Sequence, residues 1–275
     1  MLIGLITWSG LPQLSDGDRL LGEALQARGA DARAVVWDDP GVRWTEFDAL
    51  VVRSTWDYHR RAEEFGRWID ARESDRSPLW NPPALLRRNT HKRYLLDLAA
   101  RGVEIVPTEL VPRGSSFDPA ALPWPRFVAK PAISATAFRT LVAPDAEAFA
   151  ELVAESDVLV QPFIDAITDE GEWSLIFLGG HFSHAVLKRP KPGDFRVQND
   201  FGGSAVVTQP DAALIDAAAR VLAAVEEPWL YARVDGVVVD GHFQLMELEM
   251  TEPSLFLELV PEAAERMATS ICAHG

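Results

Sequence analysis

Residues 233–253 read RVDGVVVDGHFQLMELEMTEP, which is two apolar runs joined by Asp240-Gly241 and followed by a cluster of acids. An Asp-Gly pair between two apolar runs is a strong hairpin signal. Glu247 and Glu249 are two residues apart, so in a strand their side chains lie on one face. Alternation sends Met246, Leu248 and Met250 to the other face, and the stretch predicts a hairpin with a carboxylate-bearing face.

Whether Asp235 joins that face depends on the length of the hairpin loop. A three-residue loop ending at Gly241 puts Asp235 on the face of Leu245 and Glu247, whereas a two-residue loop puts it on the opposite face. We expect the three-residue loop, because three convergent carboxylates make a hard-oxygen site for Mg²⁺ beside a phosphate chain. The alternative is a strand with one solvated acidic face. Arg233 favours the site, since an arginine beside a metal suits a phosphoryl group or a developing oxyanion.

Composition excludes several classes of protein. The chain has 275 residues, 48% of them hydrophobic, which suffices for one large core or for two to three lobes. No apolar run approaches the roughly 18 residues of a membrane helix, so no membrane partner is expected. A net charge of -15 argues against a nucleic-acid partner. The single cysteine, Cys272, excludes an internal disulfide and makes the cytoplasm the natural compartment.

The pattern of elements indicates an α/β protein with α+β lobes. Strands predicted at 2–8, 32–37, 49–53 and 79–80 alternate with helices, which is typical of a small parallel sheet. Beyond it, Thr90 is the expected N-cap of a helix, and strands are expected at 105–110, 126–130, 139–142 and 158–161. We predict three units, comprising an N-terminal substrate domain (1–85), a central lobe (86–160) and a C-terminal lobe with the metal site (161–275).

Two of the four lysines are candidates for binding phosphate. Lys92 is expected in the first turn of its helix, where a cation opposes the helix dipole unless an anion is nearby. Lys130 closes the apolar strand that begins at Phe127, where a solvated lysine is less expected than in a loop. For each lysine the alternative is an ordinary surface side chain.

Three further segments are candidates for ligand contact. Residues 158–164, VLVQPFI, could form a hinge whose backbone bonds adenine, or be a plain buried strand. The segment 188–196 concentrates four basic residues and favours anion binding, and Gly202-Gly203 permits close approach to a ligand. The polar residues that follow the third strand are candidate substrate ligands: Arg53, Ser54, Thr55, Asp57 and Tyr58. Arg53 suits a carboxylate and Asp57 an ammonium. The alternative is that this segment caps the following helix.

In this order the elements resemble the ATP-grasp superfamily over residues 86–260, especially its glutathione-synthetase and D-alanine–D-alanine-ligase branches. The resemblance implies ATP held between two α+β lobes, and two Mg²⁺ ions, with Mn²⁺ as a substitute, on Asp235, Glu247 and Glu249. The ATP-binding residues it implies are Lys92, Lys130, Gln161, Pro162, Phe163, Ile164, Glu172 and Lys188. It also implies catalytic roles for Arg233, Lys130 and Arg196, and places Gly202 and Gly203 near the acceptor or the γ-phosphate.

More narrowly, residues 52–58, 171–174 and 183–196 look like the group that contains the O-ureido-serine cyclo-ligase of cycloserine biosynthesis. Two departures from the wider superfamily stand out. Glu249 occupies a metal position where many relatives carry asparagine. The loop after Lys130, PAISATAFR over residues 131–139, lacks the glycines usual in a phosphate-covering loop.

These observations predict an ATP-dependent carboxylate–amine ligase that acts through an acyl-phosphate on a small amino-acid-like substrate. Intramolecular ring closure, intermolecular ligation and a homodimer all stay open. Two other classes also stay open: a phosphotransferase without ligation, and a non-catalytic nucleotide or small-molecule sensor. The metal residues speak against the sensor, because a sensor has no need of a metal poised on phosphate.

Overall fold

Parallel strands alternating with helices form the first unit, in a computed structural model that describes residues 1–75, 77–191, 196–197 and 202–274. The strands pair in the order β2-β1-β3-β4. Their bounds are β1 (Leu2–Thr7), β2 (Asp31–Val36), β3 (Ala49–Ser54) and β4 (Leu79–Trp80), with crossover helices α1 (Asp16–Ala27) and α2 (Ala62–Arg72). Each pair is parallel, which confirms the predicted sheet.

The start of α1 follows from its cap. The Ser15 hydroxyl accepts a hydrogen bond from the Asp18 amide at 3.1 Å and donates to the Asp18 carboxylate at 2.7 Å. Serine is favoured at this position because it satisfies a backbone N–H that the helix leaves free. Leu21 and Leu25 then lie on the buried face of the helix.

The segment after the first sheet departs from prediction at Thr90. Helix α3 (Pro83–Thr90) begins at the proline pair, where a proline without an N–H is well tolerated, and α4 (Tyr94–Ala100) follows. Thr90 therefore ends a helix, and its hydroxyl donates to the Arg87 carbonyl at 2.8 Å. The predicted N-cap is wrong because the helix that contains Thr90 started seven residues earlier.

The central sheet is antiparallel, in the order β5-β8-β6-β7. Its strands are β5 (Glu109–Val111), β6 (Phe127–Pro131), β7 (Leu141–Val142) and β8 (Val158–Pro162), and α5 (Ala146–Glu155) lies between β7 and β8 in the chain. The strand predicted for 105–110 is reduced to β5, and Ile105 instead makes an isolated bridge to Leu245.

The third sheet is also antiparallel, in the order β11-β10-β9-β12-β13. Its strands are β9 (Glu172–Leu178), β10 (His181–Arg189), β11 (Ser204–Val207), β12 (Tyr231–Val239) and β13 (His242–Glu249), and the helices of this part are α6 (Ala166–Asp169), α7 (Ala212–Ala223) and α8 (Pro261–His274). The sequence patterns did not predict β11, α6 or α8.

Two helices pack outside the unit that their position in the chain suggests. Helix α8 shares a core with α1, where Met267 and Ile271 belong to the same apolar cluster as Leu21. Leu95 of α4 belongs to the core under the third sheet, with Val234. The division at residues 85 and 160 therefore stays a prediction. Within the described ranges, none of the helices has the length and apolar character needed to cross a membrane.

Candidate active site

The β12–β13 hairpin has a shorter loop than predicted. Val239 pairs with His242, so only Asp240 and Gly241 form the turn. Both turn residues have positive φ, 50° and 79°, as the tight turns that suit twisted strands require. The predicted three-residue loop is wrong.

A β-bulge nevertheless brings the acids to one face. Gly236 pairs with Leu245 but Asp235 pairs with Glu247, which leaves Met246 as the extra residue. Asp235 therefore lies directly opposite Glu247, and this part of the prediction is confirmed. Met246, expected on the far face, lines the same cleft as the two acids.

Arg233 joins two of the three carboxylates. Its Nη2 lies 2.8 Å from an Asp235 oxygen and 2.7 Å from Glu249 Oε1, and its Nη1 donates to the Ser254 carbonyl at 3.0 Å. Burial by itself would raise the pKa of Asp235, but Arg233 and Lys188 hold that pKa below its ordinary value. At Glu249 burial prevails over Arg233 and raises the pKa to about 7.

Two lysines approach the same carboxylate face from the opposite wall. Lys92 lies before α4 rather than in its first turn, and its Nζ is 3.0 Å from Glu247 Oε1 and donates to the Ser134 carbonyl at 2.5 Å. Lys130 on β6 lines the same cleft. Burial lowers the pKa of Lys130, with Glu247 opposing the shift. No ion pair of Lys130 occurs in the described part of the chain.

Strand β9 supplies two polar partners to this face. Glu172 lies opposite Lys188 of β10, and its Oε1 accepts a hydrogen bond from the lysine Nζ at 2.6 Å. Ser174 lies opposite Asp235, and its hydroxyl donates to the Asp235 carboxylate. The Lys188 Nζ is 3.6 Å from Asp235. Ser174 was not singled out from the sequence, because β9 and β12 are neighbours only in the folded sheet.

All of these side chains except Ser174 line one cleft with a volume of about 620 Å³. The predicted hinge, 161–164, lies along it, and the Gln161 side chain donates to Thr108 Oγ1 at 2.9 Å. Ile164 and Met246 pack against a small apolar cluster around Val237. An apolar wall of this kind suits the face of a flat heterocycle.

The loop after Lys130 adopts glycine-like backbone angles without glycine. Thr136, Ala137 and Arg139 have φ of 53°, 54° and 52°. This left-handed region costs an L-residue roughly 1–2 kcal/mol. The ring of Phe138 lies 5.0 Å from that of His59, so the loop contacts the N-terminal unit.

Most of the predicted substrate ligands in 53–58 do not line the cleft. Arg53 is buried, paired with Asp18 at 2.7 Å, and donates to the Pro253 carbonyl at 2.7 Å. The remaining polar groups are likewise enclosed: Ser54 donates to Thr7, Asp57 accepts from Trp37, and Thr55 is fully buried. Direct substrate contacts by Arg53, Ser54, Thr55 and Asp57 therefore lack structural support, whereas Tyr58 lines the cleft.

The polar loop after β10 is only partly described. Arg196 lines the cleft, whereas Gly202 and Gly203 are not among its lining residues. Gly202 has φ of 80° and lies against the Lys191 side chain. The intervening residues 192–195 of the predicted anion-binding segment lie outside the described residues.

Glu252 is a cleft residue for which the sequence pattern predicts no role. Its side chain lines the cleft while only 9% of the residue's surface is exposed. Burial, and next the charge of Glu249, raise its pKa to about 8. Nothing in the sequence pattern distinguishes this acid from a solvated one after a strand.

The three hairpin carboxylates suit a hard cation, both by the type of their oxygen donors and by their position on one face. Asp235, Glu247 and Glu249 offer carboxylate oxygens from one face of a hairpin, which is the donor type that Mg²⁺ prefers. In the described ranges no three acids, histidines or cysteines surround a common metal position. The carboxylates pair with Arg233 and Lys92 instead. The metal role of the three acids therefore stays a proposal.

Comparisons with known proteins identify relatives of this chain. The family model described as the N-terminal domain of D-cycloserine synthetase DcsG matches residues 3–81. The cycloserine biosynthesis protein DcsG of Streptomyces lavendulae is 33% identical over 271 residues, covering 90% of each chain. The crystal structure of D-cycloserine synthetase DcsG matches with a TM-score of 0.90 and 29% identity, over 100% of this chain and 99% of that one. D-alanine–D-alanine ligase from Bacillus anthracis, complexed with ATP, matches with a TM-score of 0.71 over 99% of this chain and 96% of that one, and at 18% identity it shows the shared fold.

Proposed function

This chain belongs to the ATP-grasp ligase family, and we propose that it acts on the carboxylate of a small amino-acid-like substrate. It is an ATP-dependent ligase that forms a C–N bond and releases ADP and phosphate. The proposal for its site rests chiefly on one observation. Asp235 and Glu247 face each other across the hairpin, and Arg233 joins Asp235 to Glu249, in the cleft that Lys92 and Lys130 also line.

In the proposed mechanism, the hinge and the apolar wall position the nucleotide base. Gln161–Ile164 bind the adenine edge, and Ile164 and Met246 contact its face. Lys92 and Lys130 bind the phosphate chain from the central lobe, and Lys188 with Glu172 flanks it from the third sheet. Lys92 enters this role already fixed by the Ser134 carbonyl, so little side-chain entropy remains to be lost on binding.

The chemistry proceeds in two steps. An oxygen of the substrate carboxylate attacks the γ-phosphorus of ATP, and ADP leaves with the bonding electron pair. An amine nitrogen then attacks the acyl carbon, phosphate leaves, and the nitrogen loses a proton. Arg233, held by oxygens of Asp235, Glu249 and Ser254, stabilises the negative charge that develops in both steps, together with Arg196. When bound, Mg²⁺ would neutralise charge on the β- and γ-phosphates, held by Asp235, Glu247 and Glu249.

The substrate class follows from the relatives and from the rest of the cleft. The relative described as D-cycloserine synthetase makes D-cycloserine, a molecule of amino-acid size. Trp56 and Tyr58 of the N-terminal unit line the cleft, and we place the substrate against them. Ring closure and intermolecular ligation are both compatible with this position. The placement of Gly202 and Gly203 near the acceptor stays a prediction, since neither residue is among those that line the cleft.

Several finer points belong to the same proposal. We infer two Mg²⁺ ions per site with Mn²⁺ as a substitute, the domain division at 85 and 160, and a cytoplasmic setting in keeping with the single cysteine.

The test is ADP release from ATP and Mg²⁺ in the presence of pools of amino acids, with mass spectrometry of the products. We expect release to depend on an amino acid and to fall at least a hundredfold in Glu247→Gln, in line with the loss of a key electrostatic group. Glu151→Gln is the matched control, because Glu151 is exposed on α5. Amino-acid-dependent ADP release with a phosphorylated product and no C–N bond would contradict ligation.

Calorimetry gives a readout apart from turnover. We expect ATP to bind more weakly without Mg²⁺, and this Mg²⁺ dependence to shrink in Glu247→Gln and in Glu249→Gln. A variant pair that loses turnover but keeps the full Mg²⁺ dependence would contradict the metal role.

A further inference from the structure

Glu252 is a buried carboxylate without a partner. Nine-tenths of the residue is withdrawn from solvent, yet its side chain makes no hydrogen bond or ion pair with any residue that the structure describes. A carboxylate in this state is costly to keep, since burial penalises its charge and no described residue pairs with it directly to offset that cost. Such a group is expected to have a ligand.

The nearby cations are already committed to other acids. Lys92 pairs with Glu247 at 3.0 Å, and Arg233 pairs with Asp235 at 2.8 Å and Glu249 at 2.7 Å. Among the buried acids of the cleft that the structure describes, Glu252 is therefore the one left without an ion pair. What it lacks is a positive charge brought from outside.

The backbone around Glu252 is held firmly. Its carbonyl accepts a hydrogen bond from Trp56 Nε1 at 3.0 Å. The next two carbonyls accept from Arg53 at 2.7 Å and from Arg233 at 3.0 Å. Three side chains, two of them from the N-terminal unit, thus fix the segment that carries this carboxylate. The buried Arg53 therefore helps to hold the segment that carries the Glu252 carboxylate.

The position also separates Glu252 from the carboxylates on the hairpin face. It lies three residues beyond Glu249, the last residue of β13, and lines the cleft with Trp56 and Tyr58. Glu252 is the carboxylate that contributes most to raising the pKa of the Tyr58 hydroxyl, which follows from their proximity. This is the wall to which the substrate is assigned above.

We propose that the Glu252 carboxylate binds a primary ammonium group of the substrate and thereby determines its specificity. The inference rests on the proposed function, because it needs the substrate to lie in this cleft. A carboxylate partner stabilises the protonated amine, which has no lone pair for attack. The ammonium bound here is therefore a recognition group, distinct from the nitrogen that forms the new bond. The role that the sequence suggested for Asp57 passes to Glu252, since Asp57 is occupied by Trp37 and Arg61.

The experiment measures binding to the full-length enzyme by calorimetry in the presence of Mg²⁺ and a non-hydrolysable ATP analogue. The probes are the L- and D-amino acids, each beside its N-acetyl derivative, which keeps the carboxyl group but has no ammonium. The proteins are the wild type, Glu252→Gln, Glu252→Asp and the exposed control Glu151→Gln.

We expect the wild type to bind at least one free amine more tightly than its N-acetyl form. In Glu252→Gln that preference should fall roughly 10- to 100-fold, the worth of a hydrogen bond to a charged group. Glu252→Asp, which keeps the charge on a shorter arm, should retain part of it. Affinity for the nucleotide analogue should stay unchanged in all four proteins.

Three results would overturn the assignment. They are an undiminished amine preference in Glu252→Gln, a wild type that binds the nucleotide but none of the free amines, and a loss of nucleotide affinity in Glu252→Gln equal to the loss of amine affinity. The last would assign Glu252 to the metal or the phosphates. Failure of the wild type to bind nucleotide at all would instead contradict the proposed site, so the two failures are distinguishable.

Discussion

Asp235 lies directly opposite Glu247 although the hairpin that joins their strands has a two-residue turn, which by parity alone would put them on opposite faces. The bulge at Met246 supplies the missing residue. It also turns the Met246 side chain into the cleft, next to the acids it would otherwise face away from. One irregularity therefore positions both a polar and an apolar part of the site.

Ser174→Ala tests the support of Asp235 by the neighbouring strand. The substitution removes one of the two hydrogen-bond donors to Oδ1 of the buried Asp235 carboxylate, the other being Arg233 Nε at 3.0 Å, so we expect the free energy of unfolding to fall by about 1–2 kcal/mol. Urea denaturation at pH 7.5 measures it. Ser204→Ala, at an exposed position on β11, should stay within about 0.5 kcal/mol of the wild type. Equal stabilities of the two variants would show that the Ser174 hydrogen bond is worth nothing.

Lys92→Met tests the proposed phosphate contact. We expect the Kd for ATP to rise roughly 10- to 100-fold, because a charge-assisted contact is lost. The Kd for adenosine should not change, since adenosine has no phosphate. Calorimetry measures both, and Arg220→Met, which removes an exposed cation of α7, is the control. A parallel loss of adenosine binding would point to damage of the whole cleft rather than to a phosphate contact.

Ala137→Gly should stabilise the protein despite the usual cost of glycine. Ala137 has φ of 54°, a left-handed conformation that glycine adopts freely, and we expect a net gain of about 0.5–1 kcal/mol after the extra unfolded-state entropy. For Ala150→Gly, in the middle of α5, the free energy of unfolding should fall by about 1 kcal/mol. Urea denaturation measures both variants. We therefore predict stability changes of opposite sign for the two variants. A loss of stability in both would contradict this prediction.

His184 predicts a loss of stability in acid. Burial lowers its pKa to about 4, while its Nε2 lies 2.9 Å from the Leu255 carbonyl. Because the folded pKa lies below the ordinary 6.5, the unfolded chain binds the proton more readily. The contribution is complete above about pH 6.5 and is lost as the pH falls toward 4. We expect the wild type to lose about 3 kcal/mol more than His184→Gln between pH 7 and pH 4. Parallel pH profiles of the two proteins would contradict this assignment.

Glu252→Gln should raise stability in the absence of ligands, and more so at higher pH. The folded pKa of Glu252, about 8, lies above the ordinary 4.5, so wild-type stability falls as the pH rises from 4.5 to 8 while the glutamine variant is unaffected. At pH 9 we expect the variant to be more stable by up to roughly 4 kcal/mol, and at pH 4 the two should be equal. Glu151→Gln should show no such trend. A destabilised variant at pH 9 would mean that Glu252 has a partner within the protein.

Local patterns predicted the parts of the fold that depend on near neighbours in the chain. The Ser15 cap, the alternating strands and helices before residue 80, and the shared face of Glu247 and Glu249 all follow from spacings of two to four residues. Thr90 failed because its role depends on where the preceding helix begins, and two prolines start that helix.

What the sequence determined by itself is the ATP-grasp order of elements and the residue types of the site: the three hairpin acids, Arg233 and the two lysines. Only the tertiary structure decided which polar groups are free to meet a ligand. Arg53 and Asp57 are paired with buried partners and are not free to bind a ligand. Ser174 reaches Asp235 because β9 lies beside β12. Glu252 has no ion pair with a described residue. The physical reason is that the partner of a side chain depends on distance and burial. Both depend on which strands become neighbours in the folded sheet, and these strands are far apart in the chain.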